Sequence, residues 1–212
     1  MHINEENIKK LQQGDSLTIA KCITCVENQL EGNLQLLQSI TANPNTACIG
    51  ITGAPGAGKS TVGAALALEL GIDFIDTDQL IEKESGKTIT DIFVVDGEPH
   101  FRALEIEALK KVLTFENSVI SLGGGAPISE EAQKVIKNSE SFTVFLDVSL
   151  ATAAPRVGFN RDRPLLLGNP RAQWQALSDK RRPIYEMLAN DCIKVDDMDV
   201  SQVVAHIKKS IP

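Results

Sequence analysis

The sequence predicts a three-layer α/β/α fold, a parallel sheet covered by helices on both faces, with a helical extension ahead of it. Three observations carry that expectation. From Ala47 onward, short apolar and β-branched runs alternate with helix-forming segments, as in a parallel sheet joined by crossover helices. Residues 53–61, GAPGAGKST, fit G-x-x-x-x-G-K-[ST] and lie between a strand-like run at 47–52 and a helix-forming run at 62–70. Polar clusters fall just after strand-like runs, where an open α/β sheet binds its ligands.

Composition bounds the rest. A chain of 212 residues holds one α/β domain of ordinary size and a small appendage, and 42% hydrophobic residues suffice for its core. A net charge of -7 argues against a nucleic-acid partner, and an acidic chain that binds anions must concentrate its positive charge locally. No apolar run is long enough to span a bilayer and the N-terminus has no signal-peptide pattern, so no membrane association and a cytoplasmic protein are expected. Of the four cysteines, Cys22 and Cys25 share a helix face without a second pair at ligand spacing, so a structural role is expected rather than a metal site.

Taken in order, residues 1–45 form the extension. Asp15 or Ser16 caps a helix bearing Ile19, Ile23, Val26 and Leu30 as an apolar stripe, and Leu34, Leu36, Leu37 and Ile40 suggest one more helix before Asn43-Pro44. Residues 46–212 form the main domain. The first strand, the glycine loop and its helix end at Gly71. A strand at 72–75 delivers Asp76-Thr77-Asp78. Short helices at 81–84 and 88–95 break at Gly86 and Gly97, and a longer one runs over 98–113. A strand at 118–122 runs into Gly123-Gly124-Gly125, followed by a helix at 129–137 and a strand at 142–148. A helix at 151–157 gives way to the polar segment 158–164. A helix at 170–189, a strand at 193–195 and a helix at 200–209 complete the chain.

The glycine loop calls for phosphate. Its backbone N–H groups and the helix N-terminus hold phosphate oxygens, so Gly56, Ala57, Gly58, Lys59, Ser60 and Thr61 are the expected nucleotide contacts. Lys59 reaches the outer phosphates and Ser60 can ligate Mg²⁺. Asp76 and Asp78, one residue apart at a strand end, would share a face, one orienting Mg²⁺ waters and the other meeting an acceptor hydroxyl. A carboxylate pair alone would read as a helix cap and a solvated loop. Gly123, Gly124 and Gly125 let backbone N–H groups approach a small ligand. Phosphoryl transfer needs positive charge on the transferred group, and an anionic acceptor needs an arginine of its own. The candidates are Arg102, Arg163, Arg181 and Arg182.

From about Ala47 to Pro212 the chain resembles shikimate kinase, of the nucleoside-monophosphate-kinase-like P-loop fold. The resemblance rests on GAPGAGKST, FIDTDQLIE, GKTITDIFVVDGEPHFRALE, VISLGGGAPIS, RDRPLLL and KRRPIYEMLA. It implies transfer of the ATP γ-phosphoryl group to the 3-hydroxyl of shikimate with Mg²⁺, by a monomer. It makes Lys59, Asp78 and Arg163 catalytic. Asp78, Arg102, Arg181 and the glycine triplet would bind shikimate, and Ser60 and Asp76 would serve the metal. Arg156 would pack near adenine, although the family's adenine-loop signature is only partly present at 195–198.

The opening of the chain departs from that family. Gly14-Asp15, IAKCITCVEN, LLQSI and ACIGITGAPGAGKST resemble the start of the G-protein chaperones associated with methylmalonyl-CoA mutase, over about residues 3–61. No Asn-Lys-x-Asp motif follows, and a chimera joined at the shared P-loop is the simplest account. Two alternatives remain at this point: a nucleotide-dependent regulatory protein that engages a partner through its N-terminal helices, and a kinase of another small hydroxy acid such as gluconate.

Overall fold

The computed structural model describes residues 48–157 and 169–212, with Leu17, Thr18, Ala20, Lys21 and Thr24 of the extension. The chain divides into two compact units, 1–45 and 46–212. The five described extension residues are helical, and Thr24 Oγ1 donates back to Ala20 O at 3.0 Å. The rest of the expected N-terminal helices, Cys22 and Cys25 among them, lie outside the described residues.

The main unit opens with β1 (Ile49–Thr52), the P-loop and α1 (Lys59–Leu70). Then come β2 (Asp73–Asp76) and α2 (Thr77–Ser85), a helical turn at Ile89–Asp91, a π-helical segment at Ile92–Asp96, and α3 (Glu98–Val112). After these come β3 (Ser118–Ser121), α4 (Glu130–Asn138), β4 (Phe142–Asp147), α5 (Leu150–Arg156), α6 (Pro170–Leu188), β5 (Asp191–Lys194) and α7 (Val200–Ser210). The sheet is parallel throughout, in the order β2-β3-β1-β4-β5. The expected α/β/α fold is therefore the one observed, with two local differences. The last strand begins two residues earlier than its apolar pattern suggested, because Asp191 pairs with Val144 at the sheet edge. The expected single helix at 88–95 opens into a wider π turn, closed by Gly97 N–H donating to Ile92 O at 2.9 Å.

Strand alternation sorts side chains onto two faces. Ile49, Ile51, Val144, Leu146 and Ile193 face α1, α5 and α7 in the larger core. Cys48, Ile120 and Leu122 face α3, α4 and the end of α6 in the second. A small third cluster, Ile81, Ile92, Phe101 and Ala108, ties α2 and the π segment to α3. Helix ends are well specified. Asp76, Ser129, Ser149, Asn169 and Asp199 all cap with their side chains, and Asp199 forms a reciprocal capping box with Gln202. Helix α6 straddles the two cores, with Trp174 in one and Leu188 in the other.

Because Ile51 is fully buried in the central strand while Leu68 on α1 is 84% exposed, truncation separates them. Ile51→Ala is expected to cost about 2–5 kcal/mol and Leu68→Ala no more than about 0.5 kcal/mol. Urea midpoints at unchanged slope measure both. Equal losses would contradict this packing.

Candidate active site

The site lies along the carboxyl ends of β1, β2 and β3. Leaving β1, Gly53 takes φ 144°, and a Cβ there would stand 2.6 Å from Leu146 O, so only glycine makes this turn. Lys59, the first residue of α1, folds back over the loop and donates to Gly53 O at 2.9 Å and Ala54 O at 3.3 Å. Burial pulls its ammonium down to about 8, with Arg181 pushing the same way and the carboxylates of Asp78 and Asp76 opposing. A partly desolvated lysine among loop carbonyls is ready for phosphate oxygens to replace them.

Asp76 and Asp78 were expected on one strand face. Instead they straddle a junction: Asp76 ends β2 and caps α2, accepting from the N–H groups of Asp78 and Gln79, while Asp78 stands in the first turn of α2. The cap forms because no loop separates strand from helix. The other oxygen of Asp76 accepts from Ser60 Oγ at 2.7 Å, so cap and P-loop helix share one carboxylate. Burial, and then the Asp76 carboxylate beside it, push the Asp78 carboxyl above the ordinary range, with Lys59 opposing. Thr77 between them donates to Ser121 O and accepts from Gly123 N–H, locking β2 to the glycine triplet. A Cβ on Gly123 would sit 2.5 Å from Asp78 Oδ1, so a side chain there would displace that carboxylate.

On the acceptor side, Arg102 and Arg181 reach the triplet from α3 and α6. Arg102 donates to Glu98 Oε1 at 2.9 Å and to Glu105 Oε2 at 2.5 Å, and its guanidinium lies 5.5 Å from the Phe101 ring centroid. Glu105 is buried; desolvation pushes its carboxyl up while Arg102 pulls it down. Arg181 Nη1 donates to Gly124 O at 3.1 Å. Its neighbour Arg182 turns outward to Asp147 and Glu186. Both inward arginines line a cleft of about 420 Å³ between α3 and α6, together with Glu105 and Gly125. A separate hollow of about 230 Å³ joins Gly58, Thr61 and Arg156 to Val195 and Met198, and Arg156 Nη1 donates to Gly56 O at 3.2 Å. Arg163 lies outside the described residues.

The matching families are two. The family described as shikimate kinase matches residues 55–212, and that described as methylmalonyl Co-A mutase-associated GTPase MeaB matches residues 19–73. A shikimate kinase of Thermobifida fusca is 46% identical over 162 residues, covering 76% of this chain and 93% of that one. The chain belongs to the shikimate kinase family. Among solved structures, shikimate kinase from Acinetobacter baumannii in complex with shikimate superimposes with a TM-score of 0.72 at 31% identity, covering 78% of this chain and 92% of that one. A deoxyadenosine kinase from M. mycoides with bound dATP shares the fold alone, at 19% identity and a TM-score of 0.52, over 76% of this chain and 97% of its own. The MeaB match runs past Thr61 to Asp73, beyond the stretch that the opening motifs suggested.

Within this family framework, three residues of the site were missed by sequence reasoning. Glu105 had a signal, a carboxylate three residues after Arg102 inside an otherwise apolar helix stripe of Phe101, Ala108, Leu109 and Val112. Trp174 and Tyr185, on α6, donate to Pro55 O at 3.1 Å and Gly124 O at 2.6 Å, and nothing local announces those contacts. Trp174 is the chain's single tryptophan, so its emission reports on the P-loop it touches. Saturating Mg·ADP is expected to change its intensity or wavelength, and Lys59→Met to abolish the change. A flat titration in the parent protein would show that loop occupancy does not reach Pro55.

Proposed function

We propose that this chain transfers the γ-phosphoryl group of ATP to the 3-hydroxyl of shikimate, giving shikimate 3-phosphate and ADP, as a cytoplasmic monomer. The observation that supports it most is the single surface shared by a phosphate loop and a two-arginine cleft, with Asp78 between them and coupled electrostatically to Lys59. Every group assigned a part comes from this one chain. The family match over 55–212 favours this reading over a regulatory protein or a kinase of gluconate.

In the proposed reaction Arg102 and Arg181 hold the carboxylate of shikimate, with Gly123, Gly124 and Gly125 beneath it. Asp78 accepts a hydrogen bond from the 3-hydroxyl and takes its proton as the new O–P bond forms and the bond from Pγ to the bridging oxygen of ADP breaks. A carboxyl raised above its usual range is a better proton acceptor than an ordinary aspartate. Lys59 and Arg163 offset charge on the transferred group, and the backbone and hydroxyls of residues 56–61 hold the remaining phosphate oxygens. Arg156 borders the hollow suited to the adenine. The paired oxygens of Ser60 and Asp76 suit a hard cation that keeps most of its water and phosphate ligands, and they would hold Mg²⁺ directly and through its water shell. When bound, Mg²⁺ neutralises charge on the outer phosphates.

Residues 1–45 are read as a separate unit of MeaB-type origin, joined where the two family matches overlap at 55–73 and available for a protein contact. ADP release from Mg·ATP with shikimate, gluconate or no acceptor, and with GTP in place of ATP, tests the activity. The expected result is release with ATP and shikimate only, and Asp78→Asn is expected to lower kcat by about 10²–10⁴-fold without unfolding. Nucleotide hydrolysis indifferent to shikimate would overturn the reading.

The depressed Lys59 gives a pH signature. In the free protein its charge is lost as pH rises through about 8, so kcat/KM for ATP is expected to fall above that pH. Bound phosphates hold the proton on, so the corresponding limb of kcat is expected at higher pH. Coincident limbs in the two profiles would contradict that assignment.

A further inference from the structure

The carbonyl of Gly124 accepts two hydrogen bonds from α6, from Tyr185 Oη at 2.6 Å and from Arg181 Nη1 at 3.1 Å. Tyr185 is 1% exposed, and its ring packs 5.3 Å from that of Phe145 on β4, so its hydroxyl is held by the core rather than by solvent. Burial also raises its phenol, which keeps the hydroxyl protonated and donating. Arg181 precedes Tyr185 by one helical turn on the same face of α6. The same carbonyl therefore fixes the arginine and is itself fixed by the tyrosine.

The peptide unit between Gly124 and Gly125 is planar and trans, so its C=O and N–H point in opposite directions. Drawing the carbonyl toward α6 turns the Gly125 N–H away from α6. Among the described residues, neither the Gly124 nor the Gly125 N–H has a protein acceptor, whereas Gly123 N–H is taken by Thr77 and Ala126 N–H by Gly123 O. Glycines have no side-chain packing to hold such an orientation and are the residues most free to lose it.

We propose that Tyr185 is a positioning residue for the acceptor: through the Gly124 carbonyl it orients the Gly125 N–H and the Arg181 guanidinium toward shikimate. The inference rests on the acceptor-site reading above. Tyr185 itself touches no substrate, and its effect falls on the acceptor half of the site alone. The P-loop contact of α6 is made separately by Trp174, three turns earlier.

Tyr185→Phe keeps the ring against Phe145 and removes only the hydroxyl. Loss of one well-aligned hydrogen bond is expected to raise KM for shikimate about tenfold, with kcat and KM for ATP within about twofold of the parent. In amide NMR spectra, the Gly125 resonance is expected to shift on adding shikimate to the parent protein and to shift less in Tyr185→Phe. A purely structural tyrosine would lower the melting temperature and leave both readouts unchanged, which overturns the proposal. Arg181→Ala serves as the control for the underlying reading. If it too leaves KM for shikimate unchanged, the assignment of the acceptor site has failed. If it raises KM while Tyr185→Phe does not, only the positioning role has failed.

Discussion

A phosphoryl group passes only between partners held in line, and in this chain the two loops that would hold them hang from one helix. Helix α6 donates to Pro55 O in the phosphate loop through Trp174, and to Gly124 O in the glycine triplet through Arg181 and Tyr185. Both acceptors are backbone carbonyls in segments that carry little side chain of their own. Loops of that composition have the freedom to approach a ligand closely and, for the same reason, no internal means of staying in place. Rigidity comes from the helix, which is seated in both cores and stretched over the end of the sheet. The two loops also adjoin each other, since a Cβ on Gly124 would stand 3.5 Å from both Gly53 O and Pro55 Cδ.

Electrostatics follows from the same crowding. Lys59, Asp76, Asp78, Glu105 and Arg181 act on one another electrostatically. Lys59, Asp78 and Glu105 are shifted in the direction that burial dictates, and each shift is tempered by a neighbour of opposite sign. Glu105 is the clearest case: a carboxylate in a core position, kept there by Nη1 of Arg102. Removing Arg102 leaves the Glu105 carboxylate buried and unpaired, so this contact carries more structural weight than the exposed one between Arg102 and Glu98.

How much of this was legible in the sequence depended on range. The phosphate loop is a nine-residue local pattern, and the strand and helix that flank it are written beside it. The parallel sheet showed in the alternation of apolar runs. Arg102 and Glu105 stand one turn apart, so their pairing could have been read from helical spacing alone. The contacts of Trp174 and Tyr185 could not, because their partners are backbone carbonyls 119 and 61 residues away and a carbonyl has no residue signature. The junction at Asp76 was misplaced for a related reason. A capping aspartate that also accepts from Ser60 looks, in sequence, like any strand-end carboxylate.

The order of strands bears on how the chain is made. β1 is the central strand, hydrogen-bonded on one side to β3 and on the other to β4, where Ile49 meets Phe142. It leaves the ribosome before either neighbour exists and gains its second edge only after most of the domain has followed. Strands that wait for distant partners collapse slowly and expose unpaired edges meanwhile. The MeaB-like segment directly precedes this strand, so throughout synthesis it is tethered to the part of the sheet that is made first and waits longest between its synthesis and its pairing on both edges.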